Sequence, residues 1–225
     1  MQVETPDREE LQQRDVARVE AFSDGVFAFA VTLLVLAVRI PRPEDSADLQ
    51  HMLLDQWPSY VAFALSFTVV GTIWANHRLA FAHIARSDHV LVSLNLLELM
   101  SVAFVPVPTA VLGYWIGSSG HNRLVAVLFY GGTLFFLGIF HNVIWWYAAY
   151  SARLTSPSLS KRKRRALTLT WLAGPILYGL AVALAFIDPR VAIGMFVVLG
   201  ILYLLPTPRA LVMAQQARAS RRSKK

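Results

Sequence analysis

The sequence predicts an all-α integral membrane protein with six transmembrane helices and both termini cytoplasmic. Three observations predict it. Of the 225 residues, 56% are hydrophobic, above the roughly 45–50% usual for a soluble domain. The excess falls in blocks close to the roughly 20 apolar residues that a spanning helix needs, and these blocks lack the alternation of a barrel strand. Lysine and arginine are also asymmetric. With the N-terminus inside, all 21 of them except Arg39, Arg42, Arg123 and Arg190 fall on the cytoplasmic side, as the positive-inside rule requires.

The elements follow in order. Residues 1–17 form a polar, acid-rich cytoplasmic segment, with residues 1–12 disordered or loosely helical. No basic-then-apolar leader opens the chain, so the first span is expected to act as an uncleaved anchor. Residues 18–214 form the six-helix transmembrane domain, with spans near 19–40, 58–82, 90–112, 124–149, 166–187 and 191–213. The loop over 41–57 is opened by Pro41 and Pro43 and carries Glu44, Asp45, Asp48 and Asp55. It reads as solvated, and an acidic loop of this kind also raises cation concentration near an opening. The short connection near 84–89 makes the second and third helices an antiparallel pair. Residues 151–165 form the longest inner loop, and Asp188-Pro189-Arg190 makes a tight turn. The sixth span is the shortest, because Pro206 and Pro208 follow its clean run. Residues 215–225 are a basic cytoplasmic tail.

The formal charge of +7 comes largely from the clusters at 161–165 and 218–225. No aromatic residues interleave with them, so they read as contacts to anionic headgroups, not to nucleic acid. The chain has no cysteine, which removes disulfides, thiolate metal sites and cysteine nucleophiles. No phosphate-cradling glycine loop, HExxH or GxSxG is present, so no enzyme and no cofactor are expected. The glycines in 131–138 read as places of close helix packing.

Ionisable and polar groups within spans are costly and are candidates for function. The first helix opens with Arg18, Ser23 and Asp24. A basic residue there normally snorkels to headgroups and Ser-Asp normally caps the helix; the other reading ties the helix to a neighbour. The second helix offers Trp74, Asn76 and His77, with Trp74, His77 and Phe81 on one face. There His77 would bond to Asp24 or stack near Arg18, or join an interfacial belt. The third helix carries Asn95 and Glu98, the deepest acid, which needs a partner or a proton and fits the same cluster. His77, His83 and His89 are spaced by six, which turns each away from the last; they are no metal site. His141 and Asn142, before Trp145, Trp146 and Tyr147, read as an interface belt. On the first helix Phe29, Thr32, Leu33 and Leu36 share a face at i, i+3, i+4, i+7. Such a stripe is either a packing surface or, in several copies around an axis, a series of apolar rings with one girdle of hydroxyls.

Arg18-x-x-x-Phe22-Ser23-Asp24, with Gly25-Val26-Phe27-Ala28 and Thr32-Leu33-Leu34 after it, resembles the signature of the transmembrane protein 175 family of potassium channels. Trp74-x-x-His77 and Asn95…Pro106-x-Pro108-Thr109 are similar too. The single six-span repeat resembles the prokaryotic form. The resemblance implies a homotetramer in the cell membrane, conducting potassium as the permeant ion, with no metal or cofactor and no nucleic acid. It implies a pore lined by the first helices, with Phe29 as the narrowest ring, Thr32 above it, and further rings at Leu33 and Leu36. It implies a structural polar network drawn from Arg18, Phe22, Ser23, Asp24, Trp74, His77 and Asn95. One departure stands out: the narrow ring is usually isoleucine or leucine, and here it is phenylalanine. The expected activity is a modestly potassium-selective cation channel. The alternatives are a proton-conducting channel of the same build, with Glu98 or His77 titrating, and a secondary transporter.

Overall fold

The computed structural model describes residues 8–38, 41–42 and 48–204. Among these the chain is helical: α1 (Arg8–Leu33), α2 (Leu49–Asp55), α3 (Trp57–Phe81), α4 (His89–Phe104), α5 (Pro106–Trp115), α6 (His121–Trp146), α7 (Lys161–Ala185) and α8 (Pro189–Leu204). Five helical stretches are long and apolar enough to cross a membrane: Leu11–Ala37, Trp57–Phe81, His89–Trp115, His121–Ser151 and Lys161–Ala185. A further apolar helix, α8, is shorter, and the extension to 213 expected of the sixth span lies outside the described residues.

Several boundaries differ from the sequence reading. α1 is already helical at Arg8, within the segment expected to be loosely ordered. It closes in a 3₁₀ turn at Leu34–Ala37. The loop over 41–57 contains the short helix α2, because Asp48 caps it by accepting from the His51 amide at 3.1 Å; Glu44 and Asp45 lie outside the described residues. The third span is two helices. Pro106 and Pro108 lack amide hydrogens, so the ladder breaks at Val105. The Val105 carbonyl is satisfied by the Thr109 amide at 3.1 Å and the Thr109 hydroxyl at 2.8 Å. Thr109 then meets Ser66 at 2.7 Å, and Ser66 meets the Tyr130 hydroxyl at 3.0 Å, which locks the break to α3 and α6.

α6 and α7 make the most extensive helix pair. Pro175 lies inside α7 and cannot donate to the Trp171 carbonyl four residues back. Asn142 on α6 supplies the missing bond, donating its amide to Trp171 O at 3.0 Å and to its own helix at Gly138 O, 2.8 Å. Gly138 makes room for the ring: a Cβ there would lie 3.1 Å from Pro175 Cδ. The close packing expected of the 131–138 glycines thus holds at Gly138, and at Gly131 against Phe196, but Gly132 meets nothing.

The connections at the basic end of the bundle are tied together. Ala85 and Arg86 amides donate to Leu154 O, and the Ser156 amide donates to His83 O. Asp88 caps α4 through the Leu91 amide at 2.8 Å and also accepts from the Tyr147 hydroxyl at 2.7 Å. Ser160 caps α7.

Candidate functional site

α1 divides lengthwise. Ser23, Phe27, Ala30, Leu34 and Ala37 are buried against α3, α4 and α5. On the other side Arg18, Phe22, Gly25, Phe29, Thr32 and Leu36 are exposed. The steps of four and three between them trace a single stripe along a helix. Phe29 is 65% and Leu36 74% exposed, so both side chains point away from their own subunit. Leu33 flanks the stripe and is partly covered. The Thr32 hydroxyl donates to the Phe29 carbonyl at 2.7 Å, so its remaining acceptor capacity faces outward.

The polar groups near the N-terminal half of α1 form two short chains. In the first, His77 Nε2 meets Asn95 Oδ1 at 2.8 Å, Asn95 Nδ2 donates to Ser23 Oγ at 2.9 Å, and Ser23 Oγ donates to Val19 O at 2.8 Å. Because the Asn95 amide nitrogen is spent on Ser23, the His77 Nε2 must be the donor to the amide oxygen. All three side chains are buried. The His77 ring is stacked on Phe81 at 4.3 Å and tilted against Phe27 at 5.4 Å. In the second chain, Trp74 Nε1 donates to Asp24 Oδ1 at 2.7 Å, while the Arg78 guanidinium lies 5.1 Å over the same indole.

The structure therefore brings together Ser23, Asp24, Trp74, His77 and Asn95, and it leaves out Arg18 and Phe22. Five residues turn a helix through about 140° between Arg18 and Ser23. Arg18 instead lines a surface recess with Asp15, Asp88 and His89. His77 does not reach Asp24 or Arg18. Trp74, one turn away, takes the carboxylate, and His77 takes Asn95.

Glu98 does not join this cluster. One of its oxygens pairs with His141 Nδ1 at 3.0 Å, both residues buried. His141 is thus no interface residue: it lies inside the bundle, edge-on to Trp171 at 5.0 Å. Trp145 is equally buried and donates to Thr168 at 2.9 Å. The partner of Glu98 was missed in the sequence, although an isolated intramembrane acid and an intramembrane histidine are themselves a pairing signal. Among the described residues no cluster of His, Asp and Glu is arranged to hold a metal ion.

The family described as endosomal/lysosomal potassium channel TMEM175 matches residues 18–106. A potassium channel of Streptomyces collinus is 37% identical over 186 residues, covering 83% of this chain and 90% of that protein. A potassium channel of Chamaesiphon minutus is 40% identical over 196 residues, covering 86% of this chain and 96% of that protein. The crystal structure of a lysosomal potassium-selective channel TMEM175 homologue from Chamaesiphon minutus superposes with a TM-score of 0.76 at 39% identity, covering 85% of this chain and 97% of that one.

Proposed function

This chain belongs to the TMEM175 family, whose members are channels and not enzymes, and we propose that four copies of it assemble into a potassium-selective pore in the cell membrane. The observation that carries the proposal is the bare stripe of α1. Arg18, Phe22, Phe29, Thr32 and Leu36 have no packing partner in their own subunit that covers them; such a face in a span meets either lipid or other copies, and membership of a channel family favours other copies around a water-filled axis. The potassium channel names of the two bacterial relatives supply the ion.

In the assembly each copy contributes Phe29 to the narrowest ring, Thr32 to a girdle of hydroxyls, and Leu33 and Leu36 to apolar rings beyond. An apolar constriction conducts only when wetted, and it discriminates by what each ion loses in shedding water. Potassium holds its water less tightly than sodium, so selectivity follows hydration cost and is modest. The bonds through Ser23, Asp24, Trp74, His77 and Asn95 hold α1 to its own subunit, so that the stripe is presented at a fixed angle. Both termini lie in the cytoplasm, the side on which the basic connections gather.

Purified protein in liposomes tests this. The expected result is potassium flux down its gradient, faster than sodium flux, without saturation. Flux that follows a proton gradient with potassium balanced makes the protein a proton channel of the same build. Saturable flux coupled to a counter-ion makes it a transporter. No flux of any ion ends the reading.

A further inference from the structure

Glu98 and His141 lie apart from the bonds that hold α1. Glu98 Oε2, His141 Nε2 and the Tyr178 hydroxyl are all buried without a hydrogen-bond partner. His141 and Tyr178 face one cavity of about 50 Å³ between α3, α6, α7 and α8. A water molecule needs about 10–15 Å³ of such space and two to four polar partners. The cavity offers the two orphaned ring groups, and Thr72, Asn76 and Tyr203 on its wall as well. Buried polar groups in a membrane span are costly when unbonded, and here two of them converge on a space of the right size.

We propose that this cavity is a hydrated protonation site within each subunit, in which water bonded to His141 Nε2 and to the Tyr178 hydroxyl lets Glu98 exchange a proton with solvent. The ring already meets Glu98 through Nδ1. A proton delivered by water binds Nε2, and the ring then releases its Nδ1 proton to Glu98 Oε1. The imidazole ends neutral in its other tautomer, and the carboxylate ends as a carboxylic acid. Other titratable groups stand on the helices around the pair, but besides His141 and the phenols Tyr178 and Tyr203 none lines the cavity. Tyr178 on α7 and Tyr203 on α8 are phenols, and Tyr130 on α6 is bonded to Ser66. Asp24 on α1 and His77 on α3 are taken by Trp74 and Asn95. α5 contributes only the exposed Tyr114. No Asp, Lys or Arg lines the cavity.

The test reads no ion flux, so its outcome is independent of the proposed pore. Infrared difference spectra of the full chain, acidic minus neutral, are expected to show a carboxylic C=O band that shifts in D2O and is missing from Glu98→Gln. Tyr178→Phe deletes one hydroxyl and keeps the ring; it is expected to melt at a lower temperature than the wild type and to shift the pH midpoint of that band. A Glu98→Gln spectrum that superimposes on the wild type overturns the protonation site. A Tyr178→Phe melting temperature equal to or above that of the wild type overturns the hydrated cavity, since deleting a buried hydroxyl that has no partner costs nothing. If Glu98→Gln does not fold, the band midpoint in Tyr178→Phe decides, and an unmoved midpoint overturns the proposal.

Discussion

His77 shows how few atoms hold α1 to its neighbours. Its Nε2 is bonded through Asn95 to Ser23 on α1, while its Nδ1 has no partner and is enclosed. Asn95→Leu leaves both ring nitrogens unbonded, and a buried polar group without a partner costs about 1–3 kcal/mol. That loss of stability is expected in thermal melts of the detergent-solubilised protein. Adding His77→Phe removes the stranded nitrogen and keeps an aromatic ring between Phe27 and Phe81, so the double variant is expected to be less destabilised than the two single losses added together. Asp24 belongs to the other bond. Asp24→Ala frees the Trp74 indole and loosens the angle of α1, so it is expected to lower the yield of assembled oligomer on size-exclusion chromatography more than it lowers flux per assembled protein. The signature residues were legible in the sequence, but their partners were not. Periodicity placed His77 and Trp74 on one face; which of them met Asp24 depended on the rotation of α1 against α3, a tertiary quantity. The same limit misplaced His141. Its sequence neighbours Trp145, Trp146 and Tyr147 suggested a belt, yet the packing of α4 on α6 turns it inward to Glu98.

At the scale of elements, the clasp between α6 and α7 exchanges a backbone bond for a side-chain bond. Pro175 takes one donor from α7, and Asn142 replaces it from the neighbouring helix. Asn142→Ala is expected to cost about 1–3 kcal/mol, because the Trp171 carbonyl is left without a donor. Pro175→Ala restores the amide that bonds this carbonyl within α7. In that background Asn142→Ala is expected to cost clearly less, and chemical denaturation of all four proteins measures the difference. The elements themselves were largely predictable, because long apolar runs leave the backbone no option but helix. The break at Val105 and the short α2 were less so. They depend on proline register and on the Asp48 cap, which shift helix ends without changing hydropathy.

For the whole molecule, the decisive quantity is what covers the bare stripe of α1. If four copies meet there, Phe29 is the tightest ring, and Phe29→Asn wets and widens it. The expected outcome is weaker discrimination between potassium and sodium, read as a shifted reversal potential under bi-ionic conditions, with the assembly still intact on native gels. Unchanged permeation would place Phe29 away from the axis. The all-helical, membrane-spanning plan could be read from composition and patterning alone, and the family from residues 18–41 and 74–110. The polar interior could not, since it arises only where α3, α4, α6 and α7 meet. Among the described residues, every side-chain hydrogen bond from α1 to another helix is made at Ser23 or Asp24. Beyond them the helix is held by Phe27, Ala30, Leu34 and Ala37, smooth surfaces with no directional bond. α1 is therefore oriented by polar bonds near its middle, while its far half, which carries Phe29 and Leu36, is seated by the fit of apolar side chains alone.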